Sequence, residues 1–328
     1  MVLSWEHYRL DFKFEAKTSR NSMTTKDTWF IRIVDDNNNI GLGEAAYFDG
    51  LSKESKEDFL DEIDRVCKEN DLESQVSAVR FGIESAIQNL KPLEDNPFTR
   101  GEVGIPINGL IWMGNRDTML KRIDQKISDG FHVLKLKIGG IDFEDELDLL
   151  KYIRNKYSSD NLELRLDANG SFSKDNALEK IDRLSKFDIH SIEQPIRSGY
   201  WEKMSEICKN SPIPIALDEE LIGFRTINDK ISLLDSIKPQ YIILKPSLCG
   251  GLAASDEWAD LAEMRNIGWW ATSALESNIG LKAIALWAYS RKVTIPQGLG
   301  TGQLYHNNIP SPLELRKDKI FYNPNSPF

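Results

Sequence analysis

Along most of the chain, short apolar runs alternate with longer stretches in which apolar residues recur at helical spacing. From residue 104 onward, each run of about four to eight residues is rich in valine, isoleucine and leucine, as in a buried strand. Six of these runs end at or near a polar residue: Lys137, Asp167, Glu193, Asp218, Lys245 and Glu276. Successive members of this series lie 25 to 31 residues apart, the length of one strand and one helix. The pattern therefore predicts a β/α repeat.

Parallel strands of a closed β/α barrel all end on one face, where residues distant in sequence meet. One polar residue at the carboxyl end of successive strands is the layout of an active site on that face. We therefore predict an α/β fold in which residues 96–304 form a barrel. Its first strand is predicted at 104–111 and its eighth at 292–296.

The first part of the chain has a different pattern. Apolar residues alternate with polar ones along a half-buried strand, at Leu10, Phe12, Phe14 and Ala16. A second alternating run at 28–34 precedes an asparagine-rich turn, which predicts antiparallel pairing. Helical spacing follows at 52–70 and 74–90, each beginning with a serine cap. We predict an α+β capping domain at 1–95, with a C-terminal tail at about 305–328 packing back toward it.

Two lysines share one face of the strand predicted at 131–138. Side chains alternate along a strand, so Lys135 and Lys137 point to the same side. Lys245 ends a later strand, on the other side of the carboxylates. An alternative for the first pair is an edge strand whose solvated lysines protect against aggregation. The regular series of later polar residues favours a site over this alternative.

Three carboxylates, Asp167, Glu193 and Asp218, lie on adjacent predicted strands with no cysteine or histidine among them. An all-oxygen set suits Mg²⁺, with Mn²⁺ as a substitute, and is unlike a zinc site. The alternative is a buried salt-bridge network between these acids and the nearby lysines, with no metal. Three like charges at one barrel mouth repel each other strongly without a cation, which favours the metal.

Composition narrows the functions further. The net charge of −10 offers no electrostatic reason to bind nucleic acid or an anionic membrane, and an anionic substrate would need a local positive site. No apolar stretch reaches the roughly eighteen residues of a membrane span, and the N-terminus lacks a signal-peptide pattern. Cys67, Cys208 and Cys249 make neither a disulfide framework nor a metal-binding pair. We expect a cytoplasmic enzyme with a small-molecule carboxylate substrate, and self-association is left open.

A divalent cation between lysines suits the removal of a proton next to a carboxylate. Lysine is a poor base at neutral pH, with a pKa of about 10.4, but a second ammonium group and a divalent cation lower it. The enediolate that forms would be stabilised by metal and ammonium charge. From the residues alone, the predicted reaction is the removal of an α-proton from a carboxylate, and the substrate is not identified.

Five local motifs together resemble the enolase superfamily, and within it the muconate-lactonizing subgroup. They are Lys135-x-Lys137, Asp167-Ala168-Asn169, Glu193-Gln194-Pro195, Asp218-Glu219 and Lys245-Pro246. The resemblance covers essentially the whole chain and implies a (β/α)7β TIM-like barrel with an N-terminal α+β capping domain. It also implies that Asp167, Glu193 and Asp218 bind Mg²⁺, with Asn169 and Glu219 next to these ligands.

The resemblance implies the remaining roles residue by residue. Lys137 would take the α-proton and return a proton to the departing hydroxide, and Lys245 would stabilise the enediolate. Lys135 would contact the substrate carboxylate. The loop at 18–26 would close over the substrate. The residues expected to bind substrate are Ser22, Ser273, Gly300 and Thr301.

Within the subgroup, 107–112 and 272–277 most resemble the branch that dehydrates succinyl-hydroxycyclohexadiene-carboxylate to an aromatic succinylbenzoate in menaquinone biosynthesis. Racemisation of N-succinylamino acids stays open because it uses the same two lysines and a succinyl tail. Dipeptide epimerases carry an Asp-x-Asp pair at the eighth strand, whereas 296–302 contains no acid. Muconate cycloisomerisation is a more distant alternative. A barrel that binds a carboxylate without catalysis would have lost a ligand or a lysine, and all are present.

Overall fold

Residues 1–17 and 22–326 are described by the computed structural model, so residues 18–21 of the loop predicted at 18–26 lie outside the described residues. The rest of that prediction is wrong, because 22–26 form the beginning of a strand. The first elements are strands β1 (Val2–Lys17), β2 (Ser22–Val34) and β3 (Ile40–Ala45), then helices α1 (Lys56–Glu69) and α2 (Ser77–Leu90). The three strands form an antiparallel sheet in this order. This arrangement agrees with the alternating pattern of the early sequence.

The cap has its own apolar core between the sheet and its two helices. Strand alternation places one set of β2 side chains on the face toward the helices, namely Trp29, Ile31 and Ile33. Burying a large apolar side chain of this kind contributes about 1.5–3 kcal/mol. Helix α2 packs closely on β3, because a Cβ on Gly43 would lie 2.0 Å from the carbonyl oxygen of Gly82. Glycine at that position therefore sets the distance between sheet and helix.

Strands and helices alternate from residue 109 to residue 290, with a short strand before this region and a hairpin after it. The strands are β4 (Ile105–Pro106), β5 (Gly109–Ile111), β6 (Val133–Lys137), β7 (Glu163–Asp167), β8 (Ile189–Glu193), β9 (Ile215–Leu217), β10 (Tyr241–Leu244), β11 (Gly268–Ala271), β12 (Leu313–Arg316) and β13 (Lys319–Tyr322). The helices are α3 (Arg116–Ser128), α4 (Phe143–Lys156), α5 (Ala177–Leu184), α6 (Trp201–Asn210), α7 (Ile227–Ile237), α8 (Gly251–Glu263) and α9 (Asn278–Ser290). Strands β5 to β11 form one parallel sheet in sequence order. None of the helices in the described residues is long and apolar enough to cross a membrane.

The two edges of this sheet are joined by Gln297 and Gly298, which form isolated parallel bridges to Ile107 and Thr272. The eighth strand predicted at 292–296 is wrong, because the pairing begins one residue after that segment. The proline that ends the segment has no N–H group to donate to a strand ladder. The barrel is therefore closed by a pair of residues rather than by a full strand.

The first strand predicted at 104–111 is split, because its beginning pairs with the C-terminal tail. Strand β4 pairs with β13, and β13 forms an antiparallel hairpin with β12. Earlier in the tail, Tyr305 forms an antiparallel bridge with Phe12 of β1. The tail thus contacts both the barrel and the cap.

Two carboxylates of the cap lie at the first turns of barrel helices. Glu44 of β3 accepts hydrogen bonds from the backbone N–H groups of Ser277 at 2.8 Å and Gly280 at 2.9 Å, where α9 begins. Glu84 of α2 accepts from the backbone N–H of Leu252 at 2.5 Å, where α8 begins. Negative groups are favoured at helix N-termini, where backbone donors are free. These contacts fix the cap on the barrel.

Candidate active site

The carboxyl ends of five neighbouring strands carry the polar residues predicted from the sequence. Lys137 ends β6, Asp167 ends β7 and Glu193 ends β8, and the strand register places these three side by side. Asp218 directly follows β9, and Lys245 directly follows β10. Since β6 and β10 lie four strands apart in the sheet, Lys137 and Lys245 flank the carboxylates from two sides.

The side chains at these strand ends form a group in which lysines flank three carboxylates, here called the mouth cluster. Its members are Lys135, Lys137, Asp167, Glu193, Asp218 and Lys245. Each side chain has an exposed fraction of 12% or less. The Oδ2 atom of Asp167 lies 3.0 Å from Nζ of Lys137 and 3.1 Å from Nζ of Lys135. Lys135 also pairs with Glu193, so it bridges two of the predicted metal ligands.

Burial and neighbouring charges shift the protonation equilibria of the mouth cluster. Burial acts to raise the pKa of Asp167, but the three lysines hold it well below its usual range. Burial acts to lower the pKa of Lys245, but its partner Asp218 and then Glu219 raise it above its ordinary value. The pKa of Glu193 is raised by burial and then by repulsion from Asp167. At Glu193, burial and repulsion therefore outweigh the attraction of Lys135.

Asn169 connects the mouth cluster to a further buried carboxylate. Its side-chain oxygen accepts a hydrogen bond from Lys137 Nζ at 2.6 Å, and its Nδ2 donates to Glu219 Oε1 at 3.2 Å. Burial, and then the charge of Asp218, raises the pKa of Glu219 to about 7. Asn169 has a φ of 44°, which asparagine tolerates better than most residues. The turn after β7 thus directs an amide at the Lys137 ammonium group.

The donor set of the mouth cluster fits a hard divalent cation, although its carboxylates face lysines. The described residues contain no three His, Cys, Asp or Glu side chains already grouped around one metal position. Glu193 Oε1 is buried and has no hydrogen-bond partner among those residues. A cation there would give this oxygen a partner and add positive charge among the three carboxylates. The ligand set Asp167, Glu193 and Asp218 stays a prediction that this observation supports.

A cavity of about 580 Å³ lies over the mouth cluster, lined by both barrel and cap. Its barrel wall includes Lys135, Lys137 and Lys245, and its cap wall includes Lys26 and Phe48. This volume is typical of pockets for small organic molecules. The cavity therefore brings a small molecule against the lysines at the strand ends.

The residues expected to bind substrate all line this cavity: Ser22, Ser273, Gly300 and Thr301. Ser22 is exposed, and its hydroxyl donates to Glu15 at 2.5 Å. The Ser273 hydroxyl donates to Glu276 at 2.6 Å and accepts from a backbone N–H, so it is engaged within the protein. Thr301 Oγ1 is buried with no hydrogen-bond partner in the part of the chain that the structure describes. Contact of these residues with substrate stays a prediction.

Three further polar groups of the cavity wall were not named as site residues from the sequence, although one of them, Lys26, lies in the segment predicted to close over the substrate. Asn108 Oδ1, Trp112 Nε1 and Lys26 Nζ are buried without hydrogen-bond partners among residues 1–17 and 22–326. One signal was available for Lys26, because it alternates along β2 with the same register as Thr28 and Phe30. Those two residues are buried, so the lysine occupies an inward-facing position of the strand.

Comparison with known proteins gives consistent matches along the chain. Residues 118–320 match the family described as enolase C-terminal domain-like. The chain is 44% identical to the o-succinylbenzoate synthase of Desulfotalea psychrophila, over 95% of this chain and 96% of that protein. The crystal structure of MenC from Desulfotalea psychrophila has a TM-score of 0.87 at 40% identity, covering 98% of this chain and 99% of that one.

A more distant structure supports the fold alone. A dipeptide epimerase from Enterococcus faecalis, complexed with Mg and the dipeptide L-Leu-L-Tyr, has a TM-score of 0.80 at 17% identity, covering 98% of this chain and 96% of that one. The fold class predicted from the sequence, a TIM-like barrel with an N-terminal capping domain, is confirmed by these matches and by the strand order. The family match and the close relative also confirm the resemblance carried by the lysine and carboxylate motifs. The chain belongs to the enolase superfamily.

Proposed function

We propose that the chain is an o-succinylbenzoate synthase, a hydro-lyase that converts succinyl-hydroxycyclohexadiene-carboxylate to o-succinylbenzoate in menaquinone biosynthesis. The observation that carries the proposal is the placement of Lys137 and Lys245 on two sides of buried carboxylates, below a cavity of about 580 Å³. Similarity to the Desulfotalea psychrophila enzyme along nearly the whole chain supports the same activity.

Lys137 is the proposed base and acid of the reaction. In its neutral form, its Nζ accepts the proton from the α-carbon of the substrate carboxylate, and the C–H electron pair moves into an enediolate. The resulting ammonium group then donates a proton to the hydroxyl on the adjacent ring carbon. The C–O bond breaks, water leaves and the ring becomes aromatic, so atoms and charge balance. Because one lysine serves both steps on one face, the elimination is syn.

The other two lysines contribute charge and need not transfer a proton. Lys245 lies across the site from Lys137, where its positive charge offsets the developing negative charge of the enediolate. Lys135 lies between two carboxylates and contacts the carboxylate of the substrate. Asn169 accepts a hydrogen bond from Lys137 at 2.6 Å and thereby orients its Nζ.

Asp167, Glu193 and Asp218 would hold Mg²⁺, with Mn²⁺ as a substitute. Bound there, the cation would act as a Lewis acid and make the α-proton of a carboxylate easier to remove. Glu193 Oε1 has no hydrogen-bond partner among the described residues, which supports a cation at this place.

We further propose a cytoplasmic location, because Cys67, Cys208 and Cys249 are free thiols, as is typical of a reducing compartment.

Racemisation of N-succinylamino acids is the second candidate. Lysines on two sides of a substrate also suit removal of a proton from one face and its return on the other. That reaction needs Lys245 to transfer a proton, whereas dehydration needs only its charge. Dipeptide epimerisation is disfavoured, because 296–302 contains no acid to bind a substrate amino group.

The ultraviolet absorbance of the diene follows the proposed reaction. The wild type with Mg²⁺ should consume the diene, EDTA should stop this and added Mg²⁺ should restore it. Lys245→Met should lower kcat about 1,000-fold, as expected when a charge that stabilises the transition state is removed. Lys245→Arg keeps the charge but cannot serve as a base, so it should retain more dehydratase activity than Lys245→Met.

A well-folded wild type that leaves the diene unchanged would refute the dehydratase proposal. Exchange of the α-proton of N-succinylamino acids in deuterated water would then test the racemase. In that reaction Lys245→Arg should be as inactive as Lys245→Met, because proton transfer from the second side is lost.

A further inference from the structure

The cap wall of the cavity contributes an ammonium group that the mouth cluster does not use. Lys26 of β2 is only 6% exposed and lines the cavity. Its Nζ has no hydrogen-bond partner among the described residues, and it lies 5.9 Å from the centroid of the Phe48 ring. A buried ammonium group without a polar partner is unfavourable unless a ligand pairs with it.

Two buried acids, Glu44 and Glu276, attract Lys26 without bonding to it, and Asp27 attracts it more weakly. Burial, the largest influence, lowers the pKa of Lys26, and the charges of Glu44 and Glu276 partly offset this effect. Both acids have other donors: Glu44 accepts from Thr28 Oγ1 at 2.7 Å and from the first turn of α9, and Glu276 accepts from two serine hydroxyls. The acids therefore provide a favourable field and leave the N–H donors of Lys26 unused.

The other lysines that line the cavity are already paired. Three of them pair with carboxylates of the mouth cluster. Lys56, which is about half exposed, donates to Asp27 at 3.0 Å. Among the described lining residues, an anion entering the cavity therefore meets one lysine whose Nζ has no hydrogen-bond or ion-pair partner, Lys26.

We propose that Lys26 binds the carboxylate at the far end of the succinyl chain and selects substrates that carry this second carboxylate. The inference rests on the proposed function, whose substrate has one carboxylate at the reacting carbon and another at the end of its tail. The first is directed to the mouth cluster, so the second loses its water elsewhere in the cavity. Lys26 lines the same cavity as Ser273, Gly300 and Thr301, which are expected to bind substrate.

Selection follows from the strength of a charge-assisted hydrogen bond away from water. A carboxylate at Lys26 gains such a bond and satisfies the buried ammonium group. A neutral tail of the same shape would leave the ammonium group poorly compensated, and sites built around a buried polar group discriminate strongly in this way. Thr301 Oγ1 is another polar atom of this cavity wall that has no hydrogen-bond partner among the described residues.

The test compares two substrates in two proteins. The substrates are the natural diene and an analogue whose tail ends in a carboxamide, and the proteins are the wild type and Lys26→Met. For the natural substrate, Lys26→Met should lower kcat/KM about 100-fold, mainly through KM, as expected when one partner of a buried charge pair is removed. For the carboxamide, the two proteins should have similar kcat/KM. Lys68→Met, the same change on the exposed surface of α1, is the matched control and should alter neither value.

A purely structural Lys26 gives a different result. If it only balances the two acids, Lys26→Met lowers kcat/KM for both substrates by the same factor. If it does not meet the tail, neither value changes. Each of these results would overturn the proposal.

Calorimetric titration with o-succinylbenzoate separates this inference from the proposed function. In the presence of Mg²⁺, the wild type should bind o-succinylbenzoate more tightly than its tail carboxamide, and Lys26→Met should lose this preference. If the preference disappears but the wild type does not dehydrate the diene, Lys26 is supported and the proposed function is refuted. If the preference persists in Lys26→Met, the role of Lys26 is refuted even when the wild type is an active dehydratase.

Discussion

Two groups of buried carboxylates lie near the cavity and differ in their partners. Glu44 and Glu276, here called the joint cluster, are 0% exposed and take hydrogen bonds from serine, threonine and backbone donors. The carboxylates of the mouth cluster are nearly as buried but face lysine side chains. The carboxylates of the two clusters are therefore similarly buried, but one cluster has neutral hydrogen-bond donors and the other has lysines as partners.

The kind of partner indicates whether a buried carboxylate has a structural or a chemical role. Backbone amides and short hydroxyl side chains hold a carboxylate in one geometry, and both oxygens of Glu44 and of Glu276 accept such bonds. Lysine ammonium groups lie on flexible side chains and can lose and regain a proton. In the mouth cluster Glu193 Oε1 has no partner among the described residues. We infer that the joint cluster is structural, with Glu44 holding the cap on the barrel, whereas the mouth cluster performs the chemistry.

The largest effect is expected in the mouth cluster, at Lys137. Lys137→Met removes the group that takes and returns a proton, so kcat should fall about 10,000-fold. This corresponds to about 5 kcal/mol of activation free energy. The fold should persist, because methionine fills a similar volume and Asp167 keeps Lys135 as an ion-pair partner at 3.1 Å. Diene absorbance measures the rate, and thermal unfolding checks the fold. A folded Lys137→Met protein with most of the wild-type kcat would remove Lys137 from the mechanism.

The joint cluster should respond in stability rather than in chemistry. Glu44→Ala leaves the buried donors at the start of α9 without their acceptor, so the free energy of unfolding should fall by about 3 kcal/mol. Urea denaturation followed by circular dichroism measures this change. Glu57→Ala, at an exposed acid in the first turn of α1, should change it by less than about 0.5 kcal/mol. Equal changes in the two variants would show that Glu44 does not hold the cap.

The smallest effect concerns the pH dependence of stability at Glu276. Burial, the largest influence, raises the pKa of Glu276 above its ordinary value of 4.5. Above pH 4.5, the Glu276 carboxyl loses its proton in the unfolded chain while it still holds the proton in the folded chain. The free energy of unfolding therefore falls as the pH rises toward the folded-state pKa. Glu276→Gln removes this titration. Relative to the wild type, the variant should gain on the order of 1 kcal/mol between pH 5 and pH 8, measured by urea denaturation. A constant difference across this range would contradict the assignment.

The positions of the mouth cluster could be predicted because they depend on local pattern. At Asp167 and Glu193 an apolar run stops and turn-forming residues follow, so the strand ends there in the sequence and in the structure. The 25 to 31 residue spacing then placed the ends of successive strands on one face. How the ammonium and carboxylate groups pair could not be predicted, because side-chain contacts between strands are not encoded in this periodicity.

The features that were wrong or missed depend on contacts distant in sequence. The apolar run at 292–296 has the pattern of a strand, but barrel closure falls on the two residues after it. From its residue type, Lys26 is expected to be exposed to solvent, since lysine is rarely buried without a partner. Its burial follows from docking of the cap on the barrel, where Glu44 contacts Ser277, 233 positions later. No local pattern reports such a contact.

Thermal unfolding with and without Mg²⁺ tests most directly whether the two clusters divide structure from chemistry. Three proteins are compared: the wild type, Glu193→Gln and Glu44→Gln. A bound cation stabilises the folded state, so Mg²⁺ should raise Tm for the wild type and for Glu44→Gln but not for Glu193→Gln. Without Mg²⁺, Glu44→Gln should unfold about 5 °C below the wild type, whereas Glu193→Gln should match or exceed it. An equal Mg²⁺ shift in all three proteins, or none in any, would contradict the account.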